Sequence, residues 1–593
     1  MRTKAAPRLA MSMVAGILLA GCAQPAPPAA TSAPPTSAAA PAATPAAAKP
    51  GATSAPATTG ATAAPKPGAT SAPATTAATA APKTGGTIVV GWTQETTGCD
   101  YTTLVVIGGG MITCPEYNQE PLVRYDEATD QVVPALATSW DEKPDSITFH
   151  LRTGVKFQDG TPFNADAVVF NFRRAFDKTF PENQSLTGTG QPGVPYTYLV
   201  PAYKAVTKVD DMTVRVDLTP TPAALRTFST PATFIESPTA VQAKGKDYPL
   251  SPVGTGPYTV TSFEPNQRWE LARNVDYWGP KPAPDRIIAI IKTDPAALVN
   301  DLLSGNIDAM VAPPPANVDQ LKAANFVVNF YPSLEIDYLA LNTTRPPFDD
   351  VLVRQAANWA LDQEALAKVL NGQGAPIYAD WFEEAYGYNG DVTDYKYNPD
   401  KAKQLLDQAG WKLPANGTVR QKNGQDLAVK LVMRIGQTGV LGALPTVATS
   451  NLQAVGFKVD LQAVDAATYN STTVGVFSPT CCDLSNAGHA SSFPDPIDWL
   501  TRWTTASIPP GERNFAFWSN KDFDSLVAAA KVELDPNKRL QLLKDAQKLM
   551  RDQAPIIWGN RYQQPIAWNP SKIQSLPLTK AFGRVSPWTI VLK

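Results

Sequence analysis

The chain predicts an α/β protein with mixed sheets, and three stretches carry that prediction. In the first, Ile147, Phe149 and Leu151 alternate as a half-buried strand does, and Asp159-Gly160-Thr161-Pro162 supplies turn chemistry. Asn164 then stands where a cap belongs, before Val168, Phe172, Ala175 and Phe176 recur at helical spacing. In the second, Val206 to Lys208 and the alternating Met212, Val214, Val216 and Leu218 flank Asp210-Asp211 as the arms of a hairpin. In the third, Val353, Ala357, Ala360 and Leu361 form one helix face, expected to end at Asn371-Gly372. Leu542, Ala546, Leu549 and Met550 form another, which stops before Pro555. A short buried strand from Gly85 to Trp92 opens this mixture.

The head of the chain is of another kind. Arg2, Lys4 and Arg8 precede an apolar run, Leu9 to Ala20, shorter than the roughly 20 residues that span a bilayer. Residues 1–21 therefore read as a secretory signal. The run ends Leu19-Ala20-Gly21-Cys22, which resembles the lipobox of bacterial lipoproteins and makes Cys22 the expected lipid attachment point. Acyl chains contribute about 0.8 kcal/mol per buried methylene to such an anchor. Residues 22–84 are almost all Ala, Pro, Thr, Ser and Gly, with KPGATSAPATTGATAAP from Lys49 repeated as KPGATSAPATTAATAAP from Lys66. This composition cannot bury a core. As a tether of about 60 residues it reaches from roughly 40 Å as a coil to roughly 190 Å as polyproline; an O-glycosylated stalk is the second reading.

With 51 Lys and Arg against 53 Asp and Glu, the net charge of -2 gives no electrostatic case for nucleic acid. Once Cys22 is assigned, Cys99, Cys114, Cys481 and Cys482 remain, an even set that favours disulfides outside the cytoplasm. Three pairings are open, including Cys99 with Cys114 beside a vicinal Cys481-Cys482 bridge. With only His150 and His489 and no CxxC spacing, no metal is expected, and no cofactor.

Several distinctive phrases follow one another along the chain. They are Glu120-Pro121-Leu122-Val123-Arg124-Tyr125, Leu136-Ala137-Thr138-Ser139-Trp140, LRTGVKFQDGTPFNADAVVFNF from Leu151, and Gly254-Thr255-Gly256-Pro257-Tyr258. Arg273-Asn274 with Tyr277-Trp278, Ser304-Gly305-Asn306-Ile307-Asp308, and Asn342-Thr343 through Pro346-Pro347-Phe348-Asp349-Asp350 into Arg354-Gln355-Ala356 complete the set. This wording resembles the family 5 extracellular solute-binding proteins, the receptors of peptide, nickel and related ABC importers. The resemblance implies a two-lobed periplasmic-binding-protein-like fold (type II, large peptide-binding subclass) with mixed sheets and a hinged cleft. It places lobe I at 85–287 and 555–593, with a family-specific subdomain at about 127–245, and lobe II at 288–554. The crossovers are expected near Pro284 to Ile291 and Gln553 to Gly559.

No GxSxG elbow, HExxH, EF-hand pattern or GxxxxGK[ST] is present, so any ATP hydrolysis belongs to a partner. Gly488-His489-Ala490-Ser491-Ser492 is a nucleophile-like neighbourhood, but adjacent residues are not a triad. The segment from Cys481 to Trp503 joins turn formers to Phe493 and Trp499, which offer apolar area with little rotamer entropy to lose. Trp499 and Trp503, four apart, equally fit a helix's core stripe. By the resemblance, Ser492 stands where peptide-binding relatives carry an aspartate that pairs with the peptide's α-amino group, and a hydroxyl does not supply that charge. Trp92 at a strand end, with Glu95 or Asp100 in place of that aspartate, is a second candidate region. Trp381-Phe382 are candidates to close over the ligand, and the resemblance puts Asn342 near the cleft.

These readings converge on a monomeric, lipid-anchored, extracytoplasmic receptor. It captures a peptide-like or other organic solute between its lobes, delivers it to an ABC permease with its ATPase subunits, and does no covalent chemistry. An extracellular hydrolase and a stalked adhesion or signalling lipoprotein are the alternatives.

Overall fold

A computed structural model describes residues 84–593 except 94–97, 101–113, 127–128, 130, 178, 182–199, 201, 220–223, 393–394, 438, 472, 492–493, 510–512, 580–584 and 587. The described residues fall in one unit, Thr79–Lys593. The expected signal peptide, Cys22 and the tether lie outside them.

Eleven strands form one mixed sheet. Its spine is a pair of long antiparallel strands, Val327–Leu341 and Ile556–Trp568, paired from Val327 opposite Trp568 to Ala340 opposite Ile556. On one side the sheet continues through Leu484–Ala490, Ala428–Arg434 and Lys458–Val464. On the other it continues through Ala309–Val311, Thr87–Trp92, Arg286–Ile291, Arg268–Arg273 and Tyr258–Glu264, and Gly374–Pro376 pairs onto the return strand.

The cores show where one lobe ends. Ile88, Trp269, Ala289, Val311, Ile566 and Trp568 share one buried cluster, and Leu298, Met310, Val328 and Ala567 form its neighbour. Leu334, Ile336, Tyr338 and Trp558 belong to a different cluster, and Leu339 and Ile557 to the one beside it. The passage between lobes therefore falls between Val328 and Leu334 on the outbound strand and between Trp558 and Ile566 on the return. This corrects the crossover expected at Pro284 to Ile291. Arg286–Ile291 pairs in parallel with Thr87–Trp92 over its whole length, so a boundary at 287/288 would cut a strand that fills the first lobe's core. A buried parallel strand reads as an apolar run whichever lobe owns it. On the return, Ile556 and Trp558 still sit in the second lobe's core, so lobe I resumes after the expected 555.

The stretch that predicted the fold builds a separate four-stranded sheet, in the order Ala137–Lys143, Ser146–Leu151, Thr213–Leu218, Tyr203–Asp210. The helix Ala165–Phe176 covers it. Asn164 caps that helix by accepting the Ala167 N–H at 3.1 Å, and Phe149, Phe172, Val214, Val216 and Phe228 fill the space between. Full burial of such side chains contributes roughly 1.5–3 kcal/mol each. The helix face begun at Val353 does not run on to Asn371: Val351–Ala360 stops, Leu361 is extended, and Asp362 caps a second helix, Gln363–Val369, by accepting the Ala365 N–H. A capping aspartate competes with the preceding helix for the backbone.

The phrases quoted above are framework. Glu120, fully buried, accepts from Tyr277 Oη at 2.7 Å, Trp278 Nε1 at 2.8 Å and Thr255 Oγ1 at 3.0 Å, and is ion-paired with Arg124. A Cβ on Gly254 would strike the Asn118 carbonyl, so that phrase is glycine-rich because two backbones meet there.

Candidate ligand site at the junction of the lobes

Most residues expected to meet a ligand are spent on structure. Trp92 is buried in the first core, stacked on Trp269 at 5.7 Å. Asp100 is fully buried and salt-bridged to Arg174 at 2.5 Å, so its charge is already matched. Asn342 ties its loop to the Pro479–Cys482 segment, donating to the Pro479 carbonyl at 2.7 Å and the Cys482 carbonyl at 3.2 Å while its oxygen accepts from Thr344. Trp499 packs at 5.6 Å from Tyr338 and 5.3 Å from Trp503, which makes the two tryptophans core residues of the helix Pro496–Arg502 and its C-cap. Trp381 and Phe382 lean together at 4.7 Å in the same core. Glu95, Ser492 and Phe493 lie outside the described residues.

Cys99 and Cys114 are bonded, with Cα atoms 5.1 Å apart. Cys481 and Cys482 are buried and unbonded, their sulfurs 2.7 Å apart. Among the described residues no group of three His, Cys, Asp or Glu is placed to hold a metal ion.

Sequence reasoning missed the polar cluster where the long strands pass between lobes. Their register slips between Pro332, Ile336 and Tyr338, so that Asp337 faces the stretch between Trp558 and Arg561. Glu335 and Asp337 alternate onto one face, opposite Ala490 and Gly488. A Cβ on Gly488 would strike Asp337 Oδ1 and lie 3.3 Å from Glu335 Oε1, so both carboxylates converge over that glycine. Asp337 is 2% exposed and its Oδ1 has no partner. Burial pushes the Glu335 carboxyl up to about 7; burial and then the charge of Glu335 raise Asp337 well above the usual carboxylate range. Asn560, fully buried, leaves both side-chain polar atoms unpartnered. The available signal was Leu334-Glu335-Ile336-Asp337-Tyr338, two acids at alternate positions of an otherwise apolar strand.

On the other face, His489 Nε2 lies 3.1 Å from Ser491 Oγ and 3.3 Å from Asp498 Oδ2, while Arg502 Nε donates to His489 Nδ1 at 3.1 Å. With Nδ1 accepting, the neutral ring carries its proton on Nε2 and has no lone pair there to take the Ser491 proton. A working triad needs serine and carboxylate on opposite ring nitrogens. Burial, then Arg502, lowers the pKa of His489, which favours this neutral form.

The model of the bacterial extracellular solute-binding proteins, family 5, matches residues 131–509, more than half of the chain. The chain belongs to that family. This family 5 protein is 31% identical to heme-binding protein A of Haemophilus influenzae over 464 residues, 74% of this chain and 80% of that one. It is 30% identical to the dipeptide-binding protein of Escherichia coli over 471 residues, 75% and 83% of the two. A periplasmic binding protein from Helicobacter pylori, solved with the peptide STSA, superposes with a TM-score of 0.68 at 25% identity, covering 86% of this chain and 98% of that one. The two-lobed α/β architecture of these binding proteins is the one described above. As a family 5 member the chain is a solute-binding protein.

Proposed function

We propose that the chain is the receptor of an ABC importer, capturing a peptide-like or other organic solute between its lobes and handing it to a permease driven by ATPase subunits. The observation that carries this is the pair of separately cored lobes joined by two long strands, with buried polar groups left unpartnered where those strands pass. Buried polar groups are ordinarily hydrogen-bonded, and pockets favour domain interfaces. Relatives named for heme and for dipeptides support an organic solute of that size. Small-angle scattering and tryptophan emission test the reading on the chain stripped of any co-purifying solute and then resupplied with it. The expected result is a smaller radius of gyration and a shifted spectrum. Identical curves in the two states would remove the receptor reading.

We further propose that Cys22 carries the lipid and that the domain works outside the cytoplasm at the end of its tether. Cys22→Ala should move the protein from the membrane to the soluble fraction, or stall cleavage; membrane retention with normal cleavage speaks against the anchor.

A further inference from the structure

We propose that Glu335 and Asp337 form a subsite for a cationic group of the captured solute, an organic ammonium or guanidinium. The inference rests on the receptor reading and deepens it.

The two acids are brought together by the register of the outbound strand against Leu484–Ala490, and Gly488 supplies the space in which their carboxylates meet. Two carboxylates so placed call for a positive charge, and the fold withholds one. Neither carboxylate receives a hydrogen bond or ion pair from the described residues. Arg561, the neighbouring cation on the return strand, is paired instead with Glu384 at 2.5 Å and lies 4.5 Å over the Phe382 ring. Arg502 is committed to His489 on the opposite face. Beyond residue 84, the undescribed segments contain only Lys178, Lys580 and Arg584 as cationic residues.

Asn560 is a second, independent sign. It lies in the irregular stretch opposite Asp337, fully buried, with Oδ1 and Nδ2 both unpartnered. It alternates onto the same side as Tyr562 where the return strand pairs with Gly374–Pro376, and Tyr562 feels both carboxylates. A buried amide with nothing to bond and an acid pair without a counter-charge thus share the place where the lobes meet. A ligand ammonium or guanidinium offers several N–H donors to such a site and removes the repulsion between the acids. Guanidinium adds a planar fork suited to carboxylates.

The test titrates the full-length chain by calorimetry with Ala-Lys-Ala, Ala-Arg-Ala, Ala-Ala-Ala, Ala-Glu-Ala, their N-acetylated forms and spermidine. At least one cationic probe should bind tenfold or more tightly than its neutral and acidic counterparts. Acetylation then tells an N-terminal amine from a basic side chain as the source of the charge. That preference should fall at least tenfold in Asp337→Asn and in Glu335→Gln. It should also fall in Gly488→Ala, which keeps both charges and displaces the carboxylates. Unfolding curves run beside each titration report whether a variant has folded, so loss of the preference in any one folded variant supports the subsite. Equal affinity for the lysyl, alanyl and glutamyl probes with no loss on N-acetylation, an unchanged preference in all the folded variants, or no binding by any cationic probe overturns it. Closure around a neutral or acidic solute overturns the subsite and leaves the receptor standing, whereas absence of closure with the co-purifying solute sinks the receptor reading itself.

Discussion

Replacing Arg174 with methionine is expected to lower stability by about 3–5 kcal/mol at pH 8, because it strands two buried acids. Arg174 pairs with Asp100 at 2.5 Å and also with Glu236, and all three side chains are almost wholly shielded from water. Burial opposes the guanidinium's charge, but the two acids outweigh it and leave the Arg174 pKa above its ordinary value. Burial, then the charge of Asp100, already raises Glu236 well above the usual range. Without the arginine Glu236 should shift further upward. A folded-state pKa raised above the unfolded one gives stability that is present at low pH and lost as pH rises through the folded value. The deficit should therefore be small at pH 5 and large at pH 8. Urea midpoints at the two pH values measure it, and equal midpoints for parent and variant at pH 8 would count against the account. Arg174→Lys should recover part of the loss, since an ammonium lacks the fork that reaches both acids. Replacing all three by apolar residues of similar volume should recover most of it.

How much could be read from the sequence differs by level. The sheet and helix around Phe149 and Phe172 were legible because alternation, turn and cap are local, and Asn164 caps where the pattern put it. The lobe boundary was not. Ile287, Ala289 and Ile291 and the residues from Leu334 to Leu341 are similar apolar runs, and only the clusters they join assign them to different lobes. The site was legible in kind but not in place. Tryptophans and acids on irregular chain were sound candidates, yet Trp499 and Trp92 are absorbed by cores and Asp100 by Arg174. The helical spacing of Trp499 and Trp503 allowed core and cleft alike, and the contact of both with Tyr338 decides for core. Glu335 and Asp337 escaped notice because an acid alternating along a strand reads as its solvent face. What brings their carboxylates together is the space over Gly488, 151 positions after Asp337 and adjacent only through sheet register.

The acid pair should also show itself without any solute, as stability that falls when pH rises from about 5 to 8. Glu335 stands at about 7 in the folded protein against an ordinary 4.5, through burial. The folded state therefore holds a proton that the unfolded chain has released across that window, and stability declines through it. Asp337, raised further, extends the decline upward. At 1.36 kcal/mol per unit the Glu335 shift corresponds to about 3 kcal/mol at most. Tyr562, facing the pair from the return strand, is itself raised, by burial and then by both acids, and stays neutral throughout. Other groups act in the same window, the buried carboxyls of Glu120 and Glu236, raised by burial, among them. Asp380, pushed up to about 7 by burial, slopes the same way, and His489, lowered by burial and then Arg502, slopes the opposite way. The total curve therefore mixes contributions, and the difference between parent and a Glu335→Gln, Asp337→Asn double variant isolates the pair. Amides of nearly the same shape keep the packing and cannot ionise, so the double variant should match the parent at pH 5 and exceed it by about 2–3 kcal/mol at pH 8. Denaturation at pH 5, 6, 7 and 8 measures the gap. A gap that does not change with pH would mean that the two carboxylates ionise as they would in water, and the strain attributed to them would not exist.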